Sequence, residues 1–291
     1  MYQKNLGKQI WAIISPVIVY QVVMFLVELV SMGIYFVQNL DKISALSGTQ
    51  EEVMNGVVEV LYGVLDYTLI MMAVASALSI PILAYMMKRD RVKELAAGAL
   101  PNAKAPISKY IWIILISIPF ALGLNNLVNL ANLAAYSEAY QETAQTFYSA
   151  DFSLQIIALA ICSPIVEEFM FRGLIYKRMR SVMPKPIHAI FFSGIVFGFY
   201  HGNLVQTIYG CFAGFLLAYI YEKYGSLKAP ILAHVIMNLV AVILTEANVF
   251  VWMYKDIMRM GIITVICATV ASSVFLMIQK IDEKPLKIED K

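Results

Sequence analysis

The stretch SPIVEEFMFRGLIY, residues 163–176, places two adjacent glutamates and an arginine inside an otherwise apolar run. The run covers about 154–175, which is long enough for a helix to cross a hydrocarbon core of about 30 Å. A charged side chain at mid-bilayer costs roughly 2.5–3.5 kcal/mol on insertion scales. These three charges must therefore be compensated by neighbouring groups, or they must take part in the function of the protein.

The composition of the whole chain is typical of a polytopic membrane protein. Of its 291 residues, 60% are hydrophobic and 14% are charged, whereas soluble domains are about 45–50% apolar and about 25% charged. The formal net charge is only +2. Because there is no basic surplus, we expect no nucleic-acid partner.

Apolar runs of about 20 residues predict eight membrane-spanning helices. Their approximate spans are 9–37, 67–87, 110–134, 154–175, 187–201, 204–221, 229–247 and 257–279. Polar residues at helical spacing concentrate in the fourth to seventh of these helices. The sequence therefore predicts an all-α fold in which helices four to seven form a core around an intramembrane cavity.

The distribution of lysine and arginine predicts the orientation in the membrane. The basic connections are 1–8, 88–109 and 176–187, and they alternate with the acidic connections 38–66 and 135–151. With eight crossings, this pattern predicts a multi-pass protein of the cell membrane whose N- and C-termini are both cytosolic.

The chain shows no Pro/Ser-rich linker and no internal repeat, so we predict one membrane domain over residues 1–291. Within it we expect peripheral helices in 1–150, a catalytic core in 151–245, and a last helix with a cytosolic tail in 246–291.

Helical geometry separates the charges of the fourth predicted helix. Glu168 and Arg172 are four residues apart and share one face, with the glutamate on the N-terminal side, which favours an ion pair. Glu167 points about 100° away from Glu168. One interpretation is that Arg172 positions Glu168 while Glu167 faces a cavity. The alternative is a buried ionic cluster that only stabilises helix packing.

Two of the three histidines lie inside apolar helices, each with a companion four residues away. His201 shares a face with Phe197, and His234 shares one with Asn238. Taken singly, each is more typical of hydrogen bonding between helices. The third, His188, is interpreted as interfacial. Together with the glutamates, the two imidazoles and the amide can activate a water and stabilise an oxyanion.

This combination favours hydrolysis of a peptide bond within the membrane. The chain contains no HExxH zinc motif, no GxSxG elbow and no phosphate-binding loop. Catalysis by a nucleophilic serine or cysteine is therefore the weaker alternative among hydrolases. Two other classes stay open, a non-catalytic scaffold or immunity protein and a transporter with a proton relay.

Three ordered motifs resemble one known family. Residues Glu167–Arg172 resemble its EExxxR motif, Phe197–His201 its FxxxH motif, and His234–Asn238 its HxxxN motif. The family is the CPBP (CAAX protease and bacteriocin-processing, or Abi) group of intramembrane proteases, which includes the type II CAAX prenyl endopeptidases. The resemblance covers about residues 150–245.

The resemblance implies an eight-helix fold with a cavity that opens toward the cytosol. It implies a role for each motif residue: Glu167 as general base, His201 and His234 as holders of the water or of a metal, Asn238 as oxyanion donor, Glu168 and Arg172 as supporting residues, and Phe197 as part of the substrate pocket. Both metal-dependent and glutamate-dependent mechanisms are described for the family. In the first, Glu167, His201 and His234 would bind a divalent metal such as zinc, and the residues suit either account.

The function that the resemblance implies is that of an intramembrane endopeptidase. Its substrates would be membrane-associated or lipidated peptides and proteins, its surroundings the lipid bilayer, and its context bacteriocin processing or self-immunity.

One feature of the predicted helices conflicts with a shared site. At about 1.5 Å rise per residue, His234 lies about one turn inside its helix from the cytosolic side, whereas His201 lies near the far end of the fifth helix. We therefore expect the fifth helix to be tilted or to begin nearer residue 190.

Overall fold

The computed structural model describes residues 6–98 and 103–281, and these ranges are helical without any strand. The helices are α1 (Leu6–Gln38), α2 (Leu40–Ser44), α3 (Gln50–Tyr62), α4 (Thr68–Ala96), α5 (Ile111–Leu130), α6 (Glu138–Tyr148), α7 (Phe152–Arg180), α8 (Pro186–Tyr200), α9 (Leu204–Tyr224), α10 (Lys228–Glu246), α11 (Val249–Tyr254) and α12 (Ile257–Gln279). The prediction of an all-α fold is confirmed.

Seven helical segments within the described ranges are long and apolar enough to cross a membrane, where the sequence predicts eight. The exception is α8, which has 15 residues and rises only about 22 Å at 1.5 Å per residue. Apolar side chains are exposed along the outer helices, among them Phe25 and Leu29 on α1 and Val265 and Ile266 on α12. An apolar surface of this kind is suited to lipid, so the chain is a polytopic membrane protein.

The helices α8 and α9 form a tight antiparallel hairpin. A Cβ atom added at Gly214 would lie 2.8 Å from the Cα of Gly194, and one added at Gly210 would lie 2.9 Å from the Cα of Gly198. These glycines therefore allow the two backbones to touch. At the tip of the hairpin, Gly202 has a φ of +77°, a conformation that suits glycine because it has no side chain.

The expectation that this helix begins nearer residue 190 is wrong, because α8 begins at Pro186. Its far end lies inside the protein instead, since the helix is too short to span about 30 Å. His201 follows its last residue and lines the same cavity as His234.

Ion pairs join the ends of the helices that meet at the predicted basic connections. Arg178 Nε lies 2.7 Å from Asp90 Oδ2, and Lys177 Nζ lies 3.2 Å from Glu94. These contacts place the end of α4 and the end of α7 on one side of the protein, as the alternating charge pattern requires. That this side is cytosolic stays a prediction. The predicted cytosolic termini include residues 1–5 and 282–291, which lie outside the described residues.

The helix with the paired glutamates lies at the centre of the protein. Among the spanning segments of the described ranges, α7 is the most enclosed by other helices and α1 is the least. Three of the largest side chains with almost no exposed surface are Phe171, Arg172 and Tyr176, all on α7. Protein atoms therefore surround the charges of this helix in place of lipid.

Candidate active site

The backbone of α7 changes register on both sides of the glutamates. Two stretches, Ile156–Cys162 and Phe169–Tyr176, form wider π-helical turns, and the α-helical turn Ser163–Glu168 lies between them. Such turns are rare and frequently occur at functional sites.

Pro164 contributes to the first change of helical register, and it leaves the carbonyl oxygen of Leu159 for a hydrogen bond from another helix. Pro164 has no N–H and cannot donate to the carbonyl of Leu159, which lies five residues earlier and would be its partner in a π-helical register. The amide of Asn238 on α10 donates to that carbonyl at 2.8 Å. Asn238 therefore joins α10 to α7 beside the glutamates, and its second amide hydrogen is left for another acceptor.

Glu168 is fully buried and accepts hydrogen bonds from two basic side chains. Its Oε1 atom lies 2.7 Å from Arg172 Nη1 and 2.9 Å from His234 Nδ1. Arg172 also donates to the carbonyl of Gly214 at 2.9 Å, and its guanidinium lies 4.5 Å from the ring centroid of Phe197. The ion pair predicted from the i,i+4 spacing is therefore present, and it also holds the His234 ring.

Glu167 points away from that pair and lines a cavity, as its angular offset on the helix predicts. The hydroxyl of Ser163 donates to its Oε1 atom at 2.5 Å. Its Oε2 atom has no hydrogen-bond partner among the described residues, and it lies 3.8 Å from His234 Nε2. A separation of this size suits a bridging water better than a direct hydrogen bond.

Both histidines of the cavity form a hydrogen bond to another protein group through Nδ1. His201 Nδ1 lies 2.9 Å from the carbonyl oxygen of Phe197, and His234 Nδ1 faces the Glu168 carboxylate. Both partners are acceptors, so each Nδ1 carries the hydrogen, and a neutral ring would present a lone pair at Nε2. The Phe197 ring packs edge-on against both imidazoles, with centroid separations of 5.0 and 5.7 Å.

The cavity has a volume of about 380 Å³ and is lined by Glu167, Phe197, His201, His234 and Asn238. Residues of α6, which belongs to the acidic connection 135–151, also line the cavity. The cavity thus extends away from the basic connections. That the cavity opens toward the cytosol stays a prediction.

Comparison with known proteins identifies this part of the chain. Residues 149–240 match the family model of Rce1-like type II CAAX prenyl endopeptidases. This segment, which is less than half of the chain, is similar to the CPBP (CAAX protease) family. All three CPBP motifs, from Glu167 to Asn238, fall inside the matched segment.

The chain is also similar to a relative from Bacillus subtilis (strain 168) named "Putative membrane peptidase YdiL", with 32% identity over 91 residues. The alignment covers 31% of this chain and 37% of the relative, so the chain spans little more than a third of the relative's length. No solved structure matches the chain.

The three candidate metal ligands of the CPBP motifs share the cavity without forming a ligand cluster. Within residues 6–98 and 103–281, no three His, Cys, Asp or Glu side chains are placed to hold a metal ion. The predicted zinc set of Glu167, His201 and His234 therefore does not fit a bound metal in this arrangement, and the mechanism below uses only the chain's own groups.

Two contacts of this site do not appear among the sequence predictions. The bond from Ser163 to Glu167 follows the same i,i+4 spacing as the Glu168–Arg172 pair, so the sequence carried a signal for it. The contact between Glu168 and His234 joins residues 66 positions apart, and helical spacing contains no information about it.

Proposed function

We propose that the chain is an intramembrane endopeptidase in which Glu167 activates a water molecule. The observation that carries the proposal is the free Oε2 atom of Glu167, which lies 3.8 Å from His234 Nε2 at the cavity wall. A water between these acceptors would donate one O–H to each of them. Its oxygen would then face the cavity, where a peptide carbonyl can approach.

In the proposed reaction, the oxygen of the water attacks the carbonyl carbon of the peptide bond, and Glu167 takes one proton from this water. His234 holds the second O–H of the water. The tetrahedral oxyanion is stabilised by the free amide hydrogen of Asn238. Glu167 then returns its proton to the leaving nitrogen, the C–N bond breaks, and a carboxylic acid and an amine are released.

The charges of the buried residues support different roles for Glu167 and Glu168. Glu168 accepts from Arg172 and from His234 Nδ1, so it orients the imidazole and keeps the Nε2 lone pair toward the water. Because Arg172 balances the charge of Glu168, the negative charge of Glu167 remains available to take a proton. His201 would hold the water or the substrate from the other side, and Phe197 would shape the pocket.

The proposed substrates are membrane-associated or lipidated peptides and proteins, which can reach a cavity inside the bilayer. The proposed context, bacterial bacteriocin processing or self-immunity, is supported by the family resemblance.

Histidine variants of the purified protein test the proposed function. We expect the wild type to cleave members of a peptide library in detergent or liposomes, and His201→Ala and His234→Ala to lower the rate about 10²-fold or more, the usual contribution of acid–base groups. His188→Ala is the matched control, because His188 lies at the start of α8 and does not line the cavity. Product masses report cleavage.

A folded wild type that cleaves no peptide, together with cellular activity that survives both cavity variants, would favour the scaffold class.

The same protein preparations test whether the reaction depends on a metal ion. Activity that is lost with a chelator and restored by zinc, with metal content that falls in His201→Ala, would assign a metal-dependent mechanism.

A further inference from the structure

Ser163 is a polar side chain of the cavity to which the proposed reaction assigns no role. It lies one turn before Glu167 on α7 and is only 9% exposed. Its hydroxyl lies 2.5 Å from Glu167 Oε1, the short distance typical of a hydrogen bond to a charged carboxylate. Ser163 also lines the cavity.

A carboxylate can rotate about its terminal bond, and that torsion is broad. In this site the two oxygens of Glu167 have different surroundings, because Oε1 meets the serine and Oε2 faces His234 at 3.8 Å. A hydrogen bond to one oxygen restricts the rotation and therefore sets the direction of the other. An error of about 1 Å in such a group can cost about 10²-fold in rate.

We propose that Ser163 is a positioning residue for Glu167: its hydroxyl holds Oε1 and thereby directs Oε2 toward His234 and the cavity. This inference rests on the proposed function. Ser163 itself forms no bond to the substrate in this account.

Threonine and valine at position 163 give a matched test, because the two side chains have nearly the same shape and only threonine keeps the hydroxyl. In the full-length protein, we expect Ser163→Thr to stay within a few-fold of wild type. Ser163→Val should lower kcat by about tenfold or more with KM almost unchanged, since the hydroxyl acts on the general base and not on substrate binding. Thermal unfolding should show that both variants are folded at the assay temperature.

Equal kcat values for the threonine and valine variants in an active protein would remove the positioning role. Covalent labelling of Ser163 in the wild type by a fluorophosphonate would also overturn it, because the serine would then be a nucleophile. Failure of the wild type to cleave any peptide is a different result, since it removes the proposed function as a whole.

The part of the cavity wall formed by α6 supports a second inference, which is independent of Ser163. The α6 residues that line it are Tyr140, Thr143, Ala144, Phe147 and Tyr148. Their spacing of three and four residues places them on one helical face. Burial raises the pKa of the Tyr140 hydroxyl, so it stays neutral at ordinary pH. The face is therefore aromatic and uncharged.

This wall lies outside the segment that matches the CPBP family model, which begins at residue 149. The reacting groups lie within that segment. We infer that α6 determines substrate specificity, and that its aromatic face accepts a bulky apolar side chain of the peptide. This inference also rests on the proposed function.

Two peptides that differ only in one apolar side chain, alanine or leucine, test this role. Phe147→Ala should change the ratio of their kcat/KM values by about tenfold, the usual scale for a few methylenes in an apolar pocket. Phe147→Leu is a milder second variant that limits loss of packing. Tyr136→Ala is the control, because Tyr136 precedes α6 and is 83% exposed. An unchanged ratio in active Phe147 variants would exclude the specificity role.

Discussion

Glu167→Gln should lower the rate of peptide cleavage by about 10²–10⁴-fold, the usual contribution of a general base. Glutamine has almost the same shape as glutamate, and its carbonyl can still accept from Ser163, which lies 2.5 Å from Oε1 in the wild type. What the amide loses is the ability to take a proton from water. The loss should therefore appear in kcat, measured as product formation at saturating peptide.

Glu28→Gln is the matched control for this change. Glu28 is an acidic residue inside the apolar span of α1, but it is exposed and does not line the cavity, so its variant should cleave at the wild-type rate. Full activity of Glu167→Gln would show that another group accepts the proton.

Arg172→Met should lower the free energy of unfolding by about 3–5 kcal/mol, because it leaves a buried carboxylate without its partner cation. Arg172 is 1% exposed and Glu168 is fully buried, so water does not replace the lost interaction. The double variant Arg172→Met/Glu168→Gln should be more stable than the single variant. Its neutral amide oxygen still accepts from His234 Nδ1, and position 168 no longer carries a buried charge without its partner cation. Unfolding in detergent measures all three proteins.

The half-exposed pair of Arg91 and Glu94, 3.1 Å apart, provides the control for the buried pair. Surface ion pairs contribute about 0–1 kcal/mol, so Arg91→Met should unfold close to the wild type. If Arg172→Met were equally stable, or if the double variant were less stable than the single one, the buried charge of Glu168 would not govern stability.

The sequence predictions agree best with the structure where they depend on contacts within a single helix. The Glu168–Arg172 pair follows from a spacing of four residues, and it is present at 2.7 Å. The approximate positions of the spans also follow from local composition. The helix predicted at 67–87 is longer than predicted, because it continues to Ala96. The predicted helix at 187–201 is observed at Pro186–Tyr200. Composition did not show that this helix is too short to span, because its apolar character is the same as that of its longer neighbours.

The wall formed by α6 was not predicted, since an eleven-residue helix of mixed polarity in an acidic connection resembles a solvent-exposed segment. The π-helical turns of α7 were not predicted either. An apolar run has no periodicity from which a change of helical register can be recognised.

By itself, the sequence determined an all-α membrane fold, the position of its spans, the family motifs and the separation of Glu167 from the Glu168–Arg172 pair. Each of these depends on interactions along one helix or with lipid, which have a fixed spacing or length. The tertiary structure alone decided that His234 binds Glu168, that Asn238 binds the Leu159 carbonyl, and that the cavity extends to α6. Those contacts join different helices, and their geometry depends on how the helices pack together.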